Sequence, residues 1–343
     1  MKIFEEAKKQ LQLNLPFVLY AKPNENKLNA IFQEDDLVHN FVDQSGFVFV
    51  SFDKKEQIVL PLDASKFLIE NIFFDDNFDS EMIKINYVNE EKIKFKNLVN
   101  ASIEVIKKGA FDKLVVSRKI DFTEQVNVFI TFQNLIKSYE TAFRYVFFHP
   151  KVGLWMGATP ELLIKTNDNL FETVSLAGTK LFSNDDNWTP KEIQEQQFVT
   201  DYIVSNIKSY ASNVEVSKPK NVQAGKLSHI KTIISGQLTK GNRMDLINIL
   251  HPTPAICGLP KEAAFNFIVK NEHYNRKFYA GFLGEWNLNL ETNLFVNLRC
   301  MELGKINSIY VGCGITKDST AEKEFIETEN KSQTMQNIIN LQT

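Results

Sequence analysis

The chain has 343 residues, of which 43% are hydrophobic, enough for one large core or two smaller ones and too many for a disordered protein. Its 39 basic and 42 acidic side chains leave a formal charge of −3, and the basic groups near Lys226 and Lys231 are short, so nucleic acid is not expected as a partner. No long apolar run or export-type start is present, and Cys257, Cys300 and Cys313 lack zinc spacing, so the expectation is a cytoplasmic protein with buried thiols and no membrane contact.

Residues 1–95 alternate apolar and polar in pieces such as 46–52 and 57–62, with Asn- and Asp-rich breaks around 75–80, which predicts strands with short helices. A helix is expected over 97–109, a strand over 111–116, the end of a helix over 135–141 and a strand over 143–148. A hairpin is expected over 152–163, then a strand around 171–176. Thr189-Pro190-Lys191-Glu192 marks a helix start, with a capping threonine, a first-turn proline and a glutamate three residues on. Ser319 and Glu322 repeat that box before the last helix. No linker, composition shift or repeat divides the chain, so a single α/β unit is expected.

The last quarter carries the chemistry. Leu298-Arg299-Cys300 is followed by the glycine-rich turn at 310–315 and by a helix in which Glu324, Glu327 and Lys331 share one face with Met335 and Ile338. Acids on a face that is becoming buried need a counter-charge, either a hard cation or an arginine–lysine pair. Glu192 and Glu322 are assigned to caps, whereas Glu195, Glu324 and Glu327 have no such local role. Glu195 heads an apolar stripe through Val199, Ile203 and Ile207 and can face inward. Three carboxylates on two helices suit Mg2+, which prefers oxygen ligands; solvated helix charge is the other reading.

Other candidates lie outside these helices. Glu161 follows the turn Gly157-Ala158-Thr159-Pro160, and the small residues Ala177-Gly178-Thr179 let a ligand approach backbone N–H groups. Lys113 opens an apolar strand, either as a snorkelling edge residue or as a desolvated base. His251, in Leu-His-Pro-Thr-Pro-Ala, either orients substrate or stiffens the proline-bounded loop, while histidines 39, 149, 229 and 273 form no zinc spacing. Among Arg118, Arg144, Arg276 and Arg299, the last is best placed to hold a carboxylate, because the glycine-rich turn follows it.

Taken in order, Gly157–Leu163, Leu176–Thr179, Lys191–Glu195, Leu250–Ala255, Cys257–Pro260, Gly281 with Gly284, Leu298–Cys300, Gly312–Ile315 and Glu324–Lys331 resemble the chorismate-binding enzymes. That family includes isochorismate synthases, salicylate synthases and the large subunits of anthranilate and aminodeoxychorismate synthases. The resemblance spans about 105–340. It implies one large α/β (α+β) fold of antiparallel sheets flanked by helices, with the active site in a cleft. Residues 1–95 would be a divergent N-terminal part of that fold and 96–343 the catalytic region, together one structural unit.

The resemblance also implies a reaction. A nucleophile adds at C2 of chorismate as the C4 hydroxyl leaves, and a lysine at the position of Lys113 marks members that activate water. Ala177, where the aminodeoxychorismate branch commonly carries a lysine, argues against that branch. The implied activity is that of an isomerase (hydroxymutase) forming isochorismate, with Lys113 as base and Glu161 as acid, each in its less usual protonation state. Glu195, Glu324 and Glu327 would hold Mg2+. Ala177, Gly178, Thr179, His251, Arg299, Gly312, Gly314 and Lys331 would bind substrate. The alternatives are a salicylate synthase and a non-catalytic chorismate-binding protein. No glutamine amidotransferase subunit is expected, a monomer fits a single closed unit, and menaquinone synthesis is favoured over siderophore synthesis as the destination. Two departures stand out: Gln196 where relatives often place histidine, and Ala321 where they often place proline.

Overall fold

The computed structural model describes residues 1–39, 41, 44–73, 89–181, 187–224, 227–239 and 243–342, and the predicted break at 75–80 lies outside them. In chain order the elements are α1 (Lys2–Gln12), β1 (Phe17–Ala21), β2 (Lys27–Gln33), β3 (Gly46–Val50), β4 (Gln57–Pro61), β5 (Ser65–Asn71), α2 (Asn89–Lys107), β6 (Lys113–Phe122), α3 (Val128–Ser138), β7 (Phe143–His149), β8 (Gly153–Thr159) and β9 (Leu162–Asn167). They continue with β10 (Leu170–Leu181), α4 (Pro190–Ile207), β11 (Ala211–Val216), β12 (Lys220–Ala224), β13 (Leu227–Leu238), α5 (Arg243–Leu250), β14 (Gly258–Leu259), α6 (Lys261–Asn271), β15 (Phe282–Leu288), β16 (Glu291–Val296), β17 (Cys300–Leu303), β18 (Asn307–Ile315) and α7 (Ala321–Gln336).

Among the described residues the strands form two nine-stranded sheets. One runs β14-β6-β18-β17-β8-β7-β1-β2-β5, the other β11-β13-β10-β9-β16-β15-β3-β4 with β12 beside β13. This is the mixed α/β architecture of antiparallel sheets flanked by helices that the sequence predicts. Strands from the first 71 residues enter both sheets. Several strands, such as β1 and β3, are buried along their whole length, because both of their faces are covered. The inner faces meet in an aromatic layer, where Phe143 of the first sheet stacks on Phe295 of the second at 4.4 Å and Phe49 stacks on Phe278 at 4.3 Å. A second core lies on the outer side of the first sheet, under α1 and α3.

The structure corrects several sequence expectations. The helix expected over 97–109 is α2, which begins at Asn89 and buries Phe95, Val99, Ile103 and Ile106 along one stripe. The strand expected over 111–116 starts at Lys113 and continues to Phe122, because residues 114–122 pair with all nine residues of β18. Helix α3 ends at Ser138, and β10 runs on past residue 176 to Leu181. The capping box at Thr189 and Glu192 is present, but the last helix is capped at Thr320 without a side-chain bond. Ser319 instead accepts the N–H of Thr316, and Glu322 reaches out to Lys92 and Lys96 of α2.

The most consequential correction concerns 152–163, which is no hairpin. β8 pairs with β7 and β17 in the first sheet, whereas β9 pairs with β10 and β16 in the second. The short link through Pro160 and Glu161 therefore crosses between the sheets. The segment from Asn297 to Arg299, between β16 and β17, makes the reverse crossing. The two crossings are bonded together: Ala158 N–H donates to Arg299 O at 3.0 Å and Val296 N–H to Glu161 O at 2.9 Å. Glu161 and Arg299 are thus fixed at the place where the sheets separate.

Candidate active site

At that separation the protein forms a cleft. β6 and β18 form one wall, β10 and β13 the other, and α4 and α7 bring side chains in from the ends. Lys113, Glu161, Glu195, Arg299, Glu327 and Lys331 all line it, together with the backbone of 176–178 and 310–314.

Each charged group is held by the element that carries it. Lys113 is the first residue of β6 and only 1% exposed, and its ammonium donates to Glu195 Oε1 at 2.8 Å. Glu195 faces inward because the stripe of α4 below it, Val199, Ile203 and Ile207, is buried against the second sheet and α5. Lys331 donates to Glu327 Oε1 at 2.7 Å, one helical turn back, and to Gly312 O at 3.1 Å, tying α7 to β18. Burial works to lower the pKa of that ammonium, but Glu327 beside it holds it above the ordinary lysine value.

Glycine is needed on the opposing strand. A Cβ on Gly314 would collide with Glu195 Oε1 and press on Lys113 Cε; one on Gly312 would meet Tyr279 OH at 2.8 Å and Val116 O at 2.9 Å. Gly178 sits at φ +72° in a bulge of β10, a conformation that favours glycine.

Glu161 is the electrostatic outlier. Burial pushes its carboxyl up to about 7, although the positive charges of Lys113, Lys331 and Arg299 work against the rise. At neutral pH a large fraction is therefore protonated and able to give a proton. Arg299 is held at φ +49°, a strained backbone for a non-glycine residue, which aims its guanidinium into the cleft.

Two predicted residues fall elsewhere. His251 is fully buried outside the cleft: its Nε2 lies 3.3 Å from Phe52 O and its ring packs edge-on to Phe282 at 5.0 Å. Burial pushes the imidazole down to about 3, so it is neutral, and it does not line the cleft. Glu324 is 1% exposed but does not line the cleft with Glu195 and Glu327. Thr179 lies in β10 opposite His229, and its side chain is outside the described residues. Gln196 turns away from the cleft, its amide donating to Thr200 Oγ1 at 2.9 Å and Thr232 Oγ1 at 2.7 Å.

Among the cleft residues not singled out from sequence is a histidine. His229 of β13 lines the cavity, with Nδ1 3.1 Å from Gly178 O and Nε2 3.1 Å from Arg299 Nη2. Its available signal was a histidine placed among strand residues, which spacing rules for metal sites pass over.

Among the described residues no group of three or more His, Cys, Asp or Glu side chains converges to hold a metal ion. Glu195 and Glu327 nevertheless present carboxylates to the same cleft from two helices. Mg2+ commonly takes one or two protein carboxylates and completes its shell with water and substrate oxygens, so this pair fits it. Among the described residues no helix is long and apolar enough to cross a membrane.

The protein is thus an antiparallel two-sheet α/β protein whose cleft brings ammonium, guanidinium and carboxylate groups together. The chain belongs to the chorismate-binding enzyme family, whose model matches residues 54–340. It is 25% identical over 265 residues to isochorismate synthase MenF of Escherichia coli K12, a match covering 74% of this chain and 61% of that relative. Anthranilate synthase component 1 of Saccharolobus solfataricus is 27% identical over 274 residues, covering 75% of this chain and 65% of that one. Both matches thus span less than two thirds of the relatives' lengths. The DhbC structure from Bacillus anthracis shares the fold, with a TM-score of 0.79 at 23% identity over 97% of this chain and 99% of that one.

Proposed function

We propose that the protein is an isochorismate synthase, converting chorismate to isochorismate by adding water at C2 as the C4 hydroxyl departs. The observation that carries this reading is the pairing, in one cleft, of a fully buried lysine with a buried carboxyl raised to about 7. Relatives named isochorismate synthase and anthranilate synthase match at similar identity, so the choice between water and ammonia rests on Lys113.

Lys113, once neutral, takes the proton from water attacking C2. Glu161, protonated, gives its proton to the departing C4 oxygen, which leaves as water. Arg299, Lys331 and the N–H groups of 312–314 hold the substrate carboxylates, and the backbone at Ala177 and Gly178 supports the ring.

The cleft sets three cations, Lys113, Arg299 and Lys331, against the carboxylates of Glu195 and Glu327 when Glu161 is protonated. A substrate with two carboxylates would turn that excess negative, and a divalent cation restores it. Glu195 and Glu327 would hold Mg2+; when bound, Mg2+ would neutralise the ring carboxylate and the glutamates together. Releasing Glu195 from Lys113 is then part of readying the lysine.

The test is the product profile of the purified protein with chorismate and Mg2+, without and with ammonium, resolved by chromatography and proton NMR. Isochorismate alone supports the proposal. Salicylate with pyruvate replaces it with a synthase that goes on to eliminate pyruvate. An aminated product that needs ammonium overturns the lysine argument, and no turnover in any condition leaves a binding protein.

A further inference from the structure

Beside the β6 wall of the cleft lies a buried ion pair that neither the base nor the acid role uses. Glu272 closes α6 and Arg276 stands four residues on, with their side chains 1% and 3% exposed. The contact between them is two-pronged: Arg276 Nε donates to Glu272 Oε2 at 2.8 Å and Nη2 to Oε1 at 2.5 Å. The remaining bonds reach outward. Nη2 also donates to Val115 O and Nη1 to Ile256 O, both at 2.8 Å. Glu272 Oε1 accepts the N–H of Ser117 at 2.7 Å and its hydroxyl at 2.8 Å.

These bonds fall where a strand runs out. β14 pairs only with Lys113 and Leu114 at the outer edge of β6, and Val115 N–H donates to Cys257 O at 2.8 Å just beyond them. Among the described residues no strand pairs with that edge further along. A buried edge carbonyl or N–H is costly when left without a partner. Here Arg276 meets the carbonyl of Val115 and Glu272 meets the N–H of Ser117, so the ion pair takes the place of the missing strand. The same guanidinium holds Ile256, on the loop between α5 and β14. Val115 and Ile256 both line the cleft, and Val115 is two residues along β6 from Lys113. One group therefore sets the spacing between the strand that carries Lys113 and the neighbouring loop. The ring of Phe52, with its centroid 4.5 Å from the guanidinium carbon, supports that group from one face.

We infer that Glu272 and Arg276 are positioning residues for the reaction: by gripping Val115, Ser117 and Ile256 in one charged clamp, they fix the strand from which Lys113 reaches the substrate. Stability alone does not call for an ion pair here, because apolar side chains of similar volume often replace a buried pair without loss. What apolar side chains cannot supply is directed bonds to two carbonyls and an N–H on separate segments. The inference rests on the reading of Lys113 as the base for its kinetic arm, while its exchange arm does not.

Two measurements on the full chain test it. Glu272→Met combined with Arg276→Met removes both charges together, and Arg276→Lys keeps the charge but not the fork. Hydrogen–deuterium exchange, read by mass spectrometry, should rise at least about tenfold in peptides covering 113–119 and 253–258 of the double variant, and stay within about twofold in β7 and β8 across the sheet. Exchange that rises everywhere alike, or in neither segment, overturns the clamp whatever the substrate proves to be. The second measurement is steady-state kinetics with chorismate, normalised to the folded fraction from circular dichroism. In the double variant kcat should fall by about 10–100-fold, since a misplacement on the order of 1 Å costs up to about 100-fold. KM should stay within about threefold, because Arg299 and Lys331 stand on other segments. Arg276→Lys, which keeps a cation beside Glu272, should fall between the wild type and the double variant, and it carries both comparisons if the double variant does not fold. A loss carried by KM, or an unchanged kcat where local exchange has risen, overturns the positioning role. Absence of turnover in the wild type, alongside the local rise in exchange, would instead count against the proposed reaction alone.

Discussion

Replacing Glu161 by glutamine separates two consequences of burying a carboxyl group in the cleft. Its pKa rises from an ordinary 4.5 to about 7, chiefly because burial penalises the charged form. A tenfold change in an ionisation constant is worth about 1.4 kcal/mol, so the carboxylate form costs the folded protein on the order of 3 kcal/mol above pH 7. The sign follows from linkage. The folded state holds the proton more tightly than the unfolded state, so this contribution is fully present below about pH 4.5 and is lost as pH rises through 7. Glutamine keeps the shape of the protonated acid and cannot ionise. Urea unfolding of both proteins at pH 5 and pH 8 should show the variant gaining roughly 2–3 kcal/mol on the wild type between the two conditions, while turnover falls by about 10²–10⁴-fold. Because every other titrating group is common to both proteins, the comparison isolates this one. An equal stability difference at the two pH values would refute the raised pKa, and with it the assignment of Glu161 as the proton donor.

Other consequences are as direct. In the wild type, kcat/KM should decline about tenfold per pH unit above 7 as Glu161 loses its proton; a flat profile to pH 9 would remove the acid from the mechanism. Lys113→Ala should lower turnover by about 10²–10⁴-fold with chorismate binding, measured by calorimetry, largely kept; near-normal turnover would give the base role to another group. Glu327→Ala should weaken Mg2+ affinity by at least the roughly 10–100-fold known for outer-shell partners, as read by titration with Mn2+ and electron paramagnetic resonance. Unchanged affinity would move the ligand set elsewhere. Gly314→Ala should fold with little change in its melting temperature, because the new methyl group meets the flexible end of Glu195. Its turnover should nevertheless drop on the order of 10²-fold as Glu195 and Lys113 are forced apart.

Most of the charged site was legible in the sequence because its parts obey local rules. Glu327 and Lys331 are one helical turn apart and meet at 2.7 Å, and Glu195 heads a stripe whose apolar members are all buried. The Thr189 box was readable for the same reason, since everything it needs lies within four residues. The mixed α/β character was legible too, from strand-length apolar runs alternating with helical ones. What sequence could not supply was the sheet to which each strand belongs. A turn signal at Thr159-Pro160 reads the same whether the chain folds back on its neighbour or crosses to the other sheet, and only long-range pairing to β16 and β17 decides it.

The two histidines show the same limit at the level of single residues. His251 has the more suggestive context, between an apolar helix and two prolines, yet it lies fully buried against Phe52 and Phe282, away from the cleft. His229 has an undistinguished context, but it faces the cleft because β13 pairs with a bulged β10 and because Arg299 arrives from a crossing 70 residues further on. A side chain's chemistry here is set by the partners that tertiary pairing brings to it. An imidazole between a carbonyl and a guanidinium must be a neutral acceptor, and one against Phe52 and Phe282 has little to bind. The burial that makes both rings neutral follows from the same two sheets.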